Sequence, residues 1–239
     1  MLRMLRTLPF TLAFAALSLF TACGGSGGTK FRLVQAVPDI PQQQAIDVYI
    51  DLKKVGTVSL GGATPASGYL SVSSGARHLQ LFLAGQTTGP YFDGNVTVNS
   101  GGNTVVATGD VTNNTIVAPL FADTATVPTT SSNAQLRVIQ ASPEGLGGNP
   151  AVDMYIVGPG GNLPGTSPDI AGVAYPAASA YKTFPAGTYD LLLTPAGIAS
   201  LNIRLAGATF SAGKNYTYVL VDVAGGGEMS SAAVVLNDN

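Results

Sequence analysis

Phe31-Arg-Leu-Val-Gln-Ala-Val-Pro38, followed by Ala45-Ile-Asp-Val-Tyr-Ile50, returns later in the chain as Leu136-Arg-Val-Ile-Gln-Ala-Ser-Pro143 with Ala151-Val-Asp-Met-Tyr-Ile156. In the first copy Ile46, Val48 and Ile50 share one face, while Asp47, Tyr49 and Asp51 share the other. Strict alternation of this kind marks a half-buried antiparallel strand. An opening run, a Pro-rich break and an alternating strand, all present twice, predict two copies of one β domain.

The rest of each copy continues in the same manner. Lys53-Lys54 is expected to turn the chain into a strand over Val55–Leu60, and Gly61–Pro65 reads as a loop. Gly68–Val72 and Arg77–Ala84 read as strands around a tight turn at Ser73–Ala76, where Gly75 can take positive φ. Arg77–Ala84 is the strongest, with Leu79, Leu81 and Leu83 on its inner face. Gly94–Asn99 and Thr104–Thr108 are expected to form a hairpin across Ser100–Asn103, and Thr115–Ala122 to close the domain. Short strands with a turn signal roughly every eight to twelve residues are the pattern of a β-sandwich. A constant offset aligns Tyr69 with Tyr181, Gly75 with Gly187, Gly85 with Gly197, Asn103 with Asn215 and Asp110 with Asp222. The fold expected is all-β: two tandem immunoglobulin-like or transthyretin-like antiparallel β-sandwiches, at 31–122 and 135–239. A Thr/Ser-rich linker at 123–134 joins them.

Composition agrees with that fold and narrows the chemistry. Hydrophobic residues make up 46% of the 239, enough for a core, while charged residues reach only 10%, against roughly 25% in an average domain. Thirty Gly and fifteen Pro suit many short strands and tight turns. The formal charge is −2, and the basic residues are scattered, so no nucleic-acid footprint forms. A single cysteine excludes an internal disulfide and any Cys-based metal motif.

That cysteine ends a leader. Arg3 and Arg6 precede an apolar run from Leu8 to Phe20, a length suited to a signal peptide and too short for a bilayer span. Leu19-Phe-Thr-Ala-Cys23 is similar to a bacterial lipoprotein signal, with Phe20 where that signal usually has Leu. The resemblance implies cleavage after residue 22 and lipidation of Cys23, palmitate included. More than one acyl chain is needed for stable attachment, and residues 23–30 would be a flexible Gly/Ser tether. Gly24, rather than Asp, implies an outer-membrane destination if the host is Gram-negative. The expected address is therefore the cell envelope, periplasmic or surface-facing.

The repeats resemble the DUF4397 family of bacterial secreted and surface proteins. Four elements carry the likeness: Arg137-Val-Ile-Gln-Ala-Ser-Pro143, Ala151-Val-Asp-Met-Tyr155, the Pro-Ala-Gly-Thr-Tyr turn ending at Tyr189, and Ala212–Thr217 as a closing hairpin. The first copy departs at Ser73–Arg77 and at Thr104, where the family has Tyr. The resemblance implies an extracytoplasmic β domain and brings no agreed activity.

Residue by residue, catalytic groups are sparse. His78, the only histidine, sits at an outward position of the strongest strand and reads as a surface residue, not as part of a nucleophile relay. Asp47 and Asp153 recur at one outward site, where side-chain bonds to the Pro-rich loop backbone are a better reading than Ca²⁺ binding. Arg32 and Arg137 recur beside the first strands and are expected to form structural ion pairs, Asp47 and Asp153 being the partners considered. Tyr69, Tyr181, Tyr189, Tyr216 and Tyr218 are expected mainly to pack in strands and corners. No cofactor or metal is implied. The sequence therefore points to a non-enzymatic, membrane-anchored binding, adhesion or envelope-structural module with a protein or glycan partner. Its contact loops would carry Pro38, Asp39 and Pro41 in one copy and Pro143, Glu144 and Pro150 in the other. The alternative is a small-molecule or metal-binding module, or a hydrolase, with a site at the domain boundary.

Overall fold

The computed structural model describes residues 28–126, 132–225 and 229–238. In the first repeat the strands are β1 (Lys30–Gln35), β2 (Ile46–Ile50), β3 (Lys53–Val58), β4 (Ala63–Thr64), β5 (Leu70–Ser71), β6 (Gly75–Leu83), β7 (Phe92–Val98), β8 (Gly102–Ala107) and β9 (Leu120–Asp123). The second repeats them as β10 (Asn133–Gln140), β11 (Val152–Val157), β12 (Ile170–Val173), β13 (Ala177–Ala178), β14 (Lys182–Pro185), β15 (Gly187–Pro195), β16 (Ile203–Phe210), β17 (Asn215–Asp222) and β18 (Met229–Asn237).

Each repeat is a two-sheet sandwich. Its outer sheet has the order β3-β2-β6-β7, or β12-β11-β15-β16 in the second copy. Its central sheet has the order β4-β1-β8-β9, or β13-β10-β17-β18, with β5 and β14 also pairing on the first strands. Within the central sheets β1 runs parallel to β8 and β10 parallel to β17, while every other pairing is antiparallel. Phe31, Leu33 and Val105 from one sheet meet Ile46, Val48, Leu79 and Leu81 from the other to form the first core. Leu136, Val138 and Leu220 meet Met154, Leu191 and Leu193 to form the second.

The all-β tandem sandwich is thus present, and several local expectations need correction. The β2–β3 turn is Asp51-Leu52, both at positive φ (50° and 66°), so Lys53 and Lys54 already belong to β3. Two positive-φ residues give the turn whose twist suits a two-residue hairpin. The expected hairpin across Ser100–Asn103 does not form. β7 pairs with β6 in the outer sheet, whereas β8 pairs with β1 and β9 in the central sheet, so the chain crosses between sheets there. Ala212–Thr217 makes the same crossing from β16 to β17. The second crossing also holds one extra residue. Arg32 is opposite Thr104 and Arg137 is opposite Thr217, so Thr104 corresponds to Thr217, and the departure from the family's Tyr falls at Asn103, which corresponds to Tyr216. The constant offset therefore ends before this crossing, and Asp110 is not the register equivalent of Asp222.

The outer faces of the two central sheets are apolar, and they pack on each other. Val34, Ala36 and Val106 join Ile139, Ala141, Val219, Val221, Val234 and Leu236 in a third core. The molecule is a stack of four sheets with three hydrophobic layers, and β1 is buried on both faces from Phe31 to Gln35. Asp123, placed at the start of the linker by sequence, is the last residue of β9.

Candidate functional site

Strands β1, β8, β10 and β17 all run the same way along the stack, which gives the molecule two unlike ends. At one end these strands begin and β9 and β18 finish. At the other lie the Pro-rich loops and the segments after β8 and β17.

The first end holds a buried ionic cluster between the repeats. Arg32 donates from Nε to Thr104 (2.8 Å), from Nη1 to the carbonyl of Asn237 (3.0 Å) and from Nη2 to Asp238. Arg137 donates from Nε to Thr217 (2.8 Å), from Nη1 to the carbonyl of Ala122 (3.0 Å) and from Nη2 to Asp123. Each arginine therefore grips the last strand of the other repeat. Asp123 also accepts from Tyr69 (2.7 Å) and Thr104 (2.8 Å), and Asp238 accepts from Tyr181 (2.7 Å) and Thr217 (2.7 Å). Arg32 lies 4.6 Å from the Tyr69 ring centre and Arg137 lies 5.0 Å from that of Tyr181. All four charged side chains are at most 3% exposed. Burial and the neighbouring Asp123 charge push the Tyr69 hydroxyl well above its ordinary pKa, and burial does the same to Tyr181, reinforced by Asp238. Both phenols stay protonated and donate. Two cations and two carboxylates at the seam neutralise each other, as buried charges must.

The expected structural ion pairs exist, but their acids are Asp123 and Asp238, not Asp47 or Asp153. Asp47 and Asp153 do lie on the face away from the cores, but they are buried there because the turn after the neighbouring strand folds over them. Asp47 accepts from the Gly85 amide (3.0 Å), Thr57 (2.6 Å) and Lys54 (2.7 Å). Asp153 accepts from the amides of Gly197 (2.9 Å) and Gly172 (2.6 Å). They tie the turns at Gly85 and Gly197 instead of the Pro-rich loop. His78 lies on the strand surface, with Nε2 2.6 Å from Asp93. Tyr189 donates to the Pro185 carbonyl (2.9 Å), Tyr216 accepts from the Ser211 amide (3.0 Å), and both rings pack around Phe210 with Tyr218.

At the opposite end the loops are held in place. Pro38 is buried, and its carbonyl accepts from the Gly225 amide of the second repeat (2.7 Å). Asp39 receives the amides of Val111 (2.8 Å) and Thr112 (2.9 Å); burial acts to raise its pKa, and these bonds, with those from the Thr112 hydroxyl and its own amide, together leave a lowered value. Pro41 is exposed at a 3₁₀ turn over Pro41–Gln43. In the second loop Pro143 is half-buried, while Glu144 and Pro150 are exposed. Thr108 donates to the Ala141 carbonyl across the seam (2.5 Å). Ser142 donates to Asp222 and accepts from the Gly145 amide (2.8 Å). Asp222 is 2% exposed, and its Oδ2 has no hydrogen-bond partner among the described residues. Burial, aided by the charges of Glu144 and Asp110, pushes its pKa up to about 6.

Sequence reading did not single out Asp123 or Asp238 because a lone acid at a strand end carries no pattern of its own. Cys23 and the rest of the leader lie outside the described residues. No group of three or more His, Cys, Asp or Glu side chains suited to a metal occurs among the described residues, and no described helix is long and apolar enough to cross a membrane.

No curated protein matches the sequence. Among solved structures, the Bacillus anthracis TIE protein aligns with 82% of this chain at 12% identity and a TM-score of 0.26; this chain spans 34% of its length. A leucine-rich repeat protein of Bacteroides thetaiotaomicron aligns with 80% at 15% identity and a TM-score of 0.21, over 26% of its own length. A Bacteroides fragilis structure titled as a candidate cell adhesion protein aligns with 89% at 12% identity and a TM-score of 0.22, over 98% of its length. The pattern of the family described as "Domain of unknown function (DUF4397)" matches residues 29–155 and again 134–239. Carrying that pattern twice, the chain belongs to the DUF4397 family.

Proposed function

We propose that this protein is a non-catalytic binding module of the cell envelope, anchored through lipid on Cys23 and presenting its Pro-rich loops to a protein or glycan partner. One observation carries the reading. The chain enters β1 at Lys30, and the loops around Pro41 and Glu144 lie at the opposite end of the central sheets. An anchor before Lys30 therefore holds the far end of the stack, about 20 Å of strand away from the loops. The loops are also pinned by Asp39, Ser142 and the Gly225–Pro38 bond, so little ordering entropy is lost on contact. At the seam, the carboxylates that a hydrolase would need are already engaged by Arg32 and Arg137.

A small-molecule reading would rest on a hollow of about 440 Å³ lined by Lys30, Ser67, Tyr69, Ser71 and Asp238. Its polar side chains favour structure over recognition, since Tyr69 and Asp238 are spent on the ionic cluster.

The test uses the chain from Gly24 onward as bait against solubilised envelope, beside a P41S/Q43N/E144Q/P150S variant. A partner retained by the first and lost by the second is expected. Equal retention, or none, would remove the loop end as the binding face. Separately, labelled palmitate should enter the full-length protein and be lost in Cys23→Ser; unchanged labelling would remove the anchor.

A further inference from the structure

We propose that the loop end is a docking surface for a cationic polypeptide segment bearing apolar side chains; this deepens the binding-module reading and rests on it. The argument starts from where charge falls along the strand axis. Lys30 and Arg32 open β1, and Lys53 follows the β2–β3 turn at the same end, with Lys54 next to it on β3. Arg77 stands near the start of β6, while Arg137, Lys182 and Lys214 surround the start of β10. Arg204 lies mid-sheet and is committed to Asp190 (2.5 Å) and the Gly161 carbonyl (2.7 Å). Every lysine and arginine of the described residues thus begins on the anchor half or mid-stack.

The loop end is acidic among its described charged residues: Asp39, Asp110, Glu144 and Asp222, with Asp47 and Asp153 under the adjoining turns and Lys54 reaching in to pair with Asp47 (2.7 Å). They come from both repeats. Asp222 is almost wholly buried, with Oδ2 unpartnered among the described residues and facing the Asp110 and Glu144 charges. Lys54 is committed to Asp47, and no lysine or arginine of the described residues pairs with Asp110 or Glu144.

The apolar component is equally localised. Six large hydrophobics of the described residues stand exposed, and four of them belong to this end: Ile198 (53%), Leu201 (41%), Val117 (39%) and Val223 (38%). Ile198 and Leu201 lie in the loop that follows β15, whose last residue, Pro195, pairs with Val152 just after the second Pro-rich loop. Val223 directly follows β17, and Val117 bridges to Thr108. Unlike-charge complementarity steers encounter and sets register, and exposed apolar side chains rimmed by polar ones are a mark of a contact face. A second copy of the chain is a poorer occupant, because its basic end is the one that the proposed anchor holds at the membrane.

The probe is an alternating Lys/Leu peptide titrated against the chain from Gly24 onward, beside an oligo-lysine and an alternating Glu/Leu peptide. The Lys/Leu peptide should bind best and weaken steeply with added salt. Glu144→Lys and the pair Ile198→Ser/Leu201→Ser should each weaken it about tenfold, while Lys53→Glu should leave it unchanged. Equal binding of the Glu/Leu peptide, or indifference to Glu144→Lys, would overturn the proposal. An envelope partner that depends on the loops but ignores salt and Glu144→Lys would sink this inference alone. Loss of any envelope partner would instead sink the broader reading.

Discussion

Replacing Arg137 by alanine removes the closer arginine of buried Asp123 and leaves it Tyr69 and Thr104 as donors and Arg32 at 3.5 Å. Removing one partner of a buried ion pair costs about 3–5 kcal/mol, so R137A should lower the urea midpoint sharply at unchanged secondary structure. A loss below about 1 kcal/mol would mean the cluster is screened like a surface pair. Asp222 gives a pH signature of opposite sign to an ordinary carboxylate. Its folded pKa of about 6 lies above the reference 3.8, so folding favours the protonated form. The associated stability is fully present below about pH 4 and is lost as pH rises through 6, on the order of 3 kcal/mol. Asp222→Asn should flatten that fall between pH 4 and 7. Asp39 and Asp47, with lowered values, act in a different window, below about pH 4. A profile that stays steep in Asp222→Asn would place the titrating group elsewhere.

At the scale of the element, β1 and β10 differ from ordinary half-buried strands because cores lie on both of their faces. Their amides should exchange only with global opening. In hydrogen exchange, Leu33, Val34 and Ile139 should be slowest and the edge strands β3 and β16 faster; the reverse order would contradict the four-layer arrangement. Much of this level was legible. Period-two alternation located β2 and β6, and Gly75 marked a turn that has positive φ. Sheet membership was not legible. β7 and β8 alternate identically whether they form a hairpin or cross between sheets, so periodicity cannot separate the two. Nor does Arg-Leu-Val-Gln-Ala announce that Val34 and Ala36 face a second sandwich, since an apolar strand in one core reads the same.

At the scale of the molecule, the repeat predicted two domains and a linker but not their joining. The joining depends on Arg32 meeting Asp238 and Arg137 meeting Asp123, contacts that span most of the chain in one case and the connector in the other. The exchange is reciprocal, so the two repeats meet as the halves of a two-fold dimer would, each offering the same groups. Pro41, Glu144 and Pro150 are exposed where the sequence placed contact loops, whereas Pro38 and Asp39 are taken up in holding them, and Ile198 and Leu201 gave no sequence signal.

The central claim is that the two repeats form one four-layer unit locked at the seam. Urea unfolding of the chain from Gly24 onward, followed by circular dichroism and by tyrosine fluorescence (the chain has no tryptophan), tests it most directly. A single transition, coincident by both probes and shifted as a whole by R137A, is the expected result. Two separate transitions, with R137A moving only one, would show that the repeats are independent domains and that the seam does not join them.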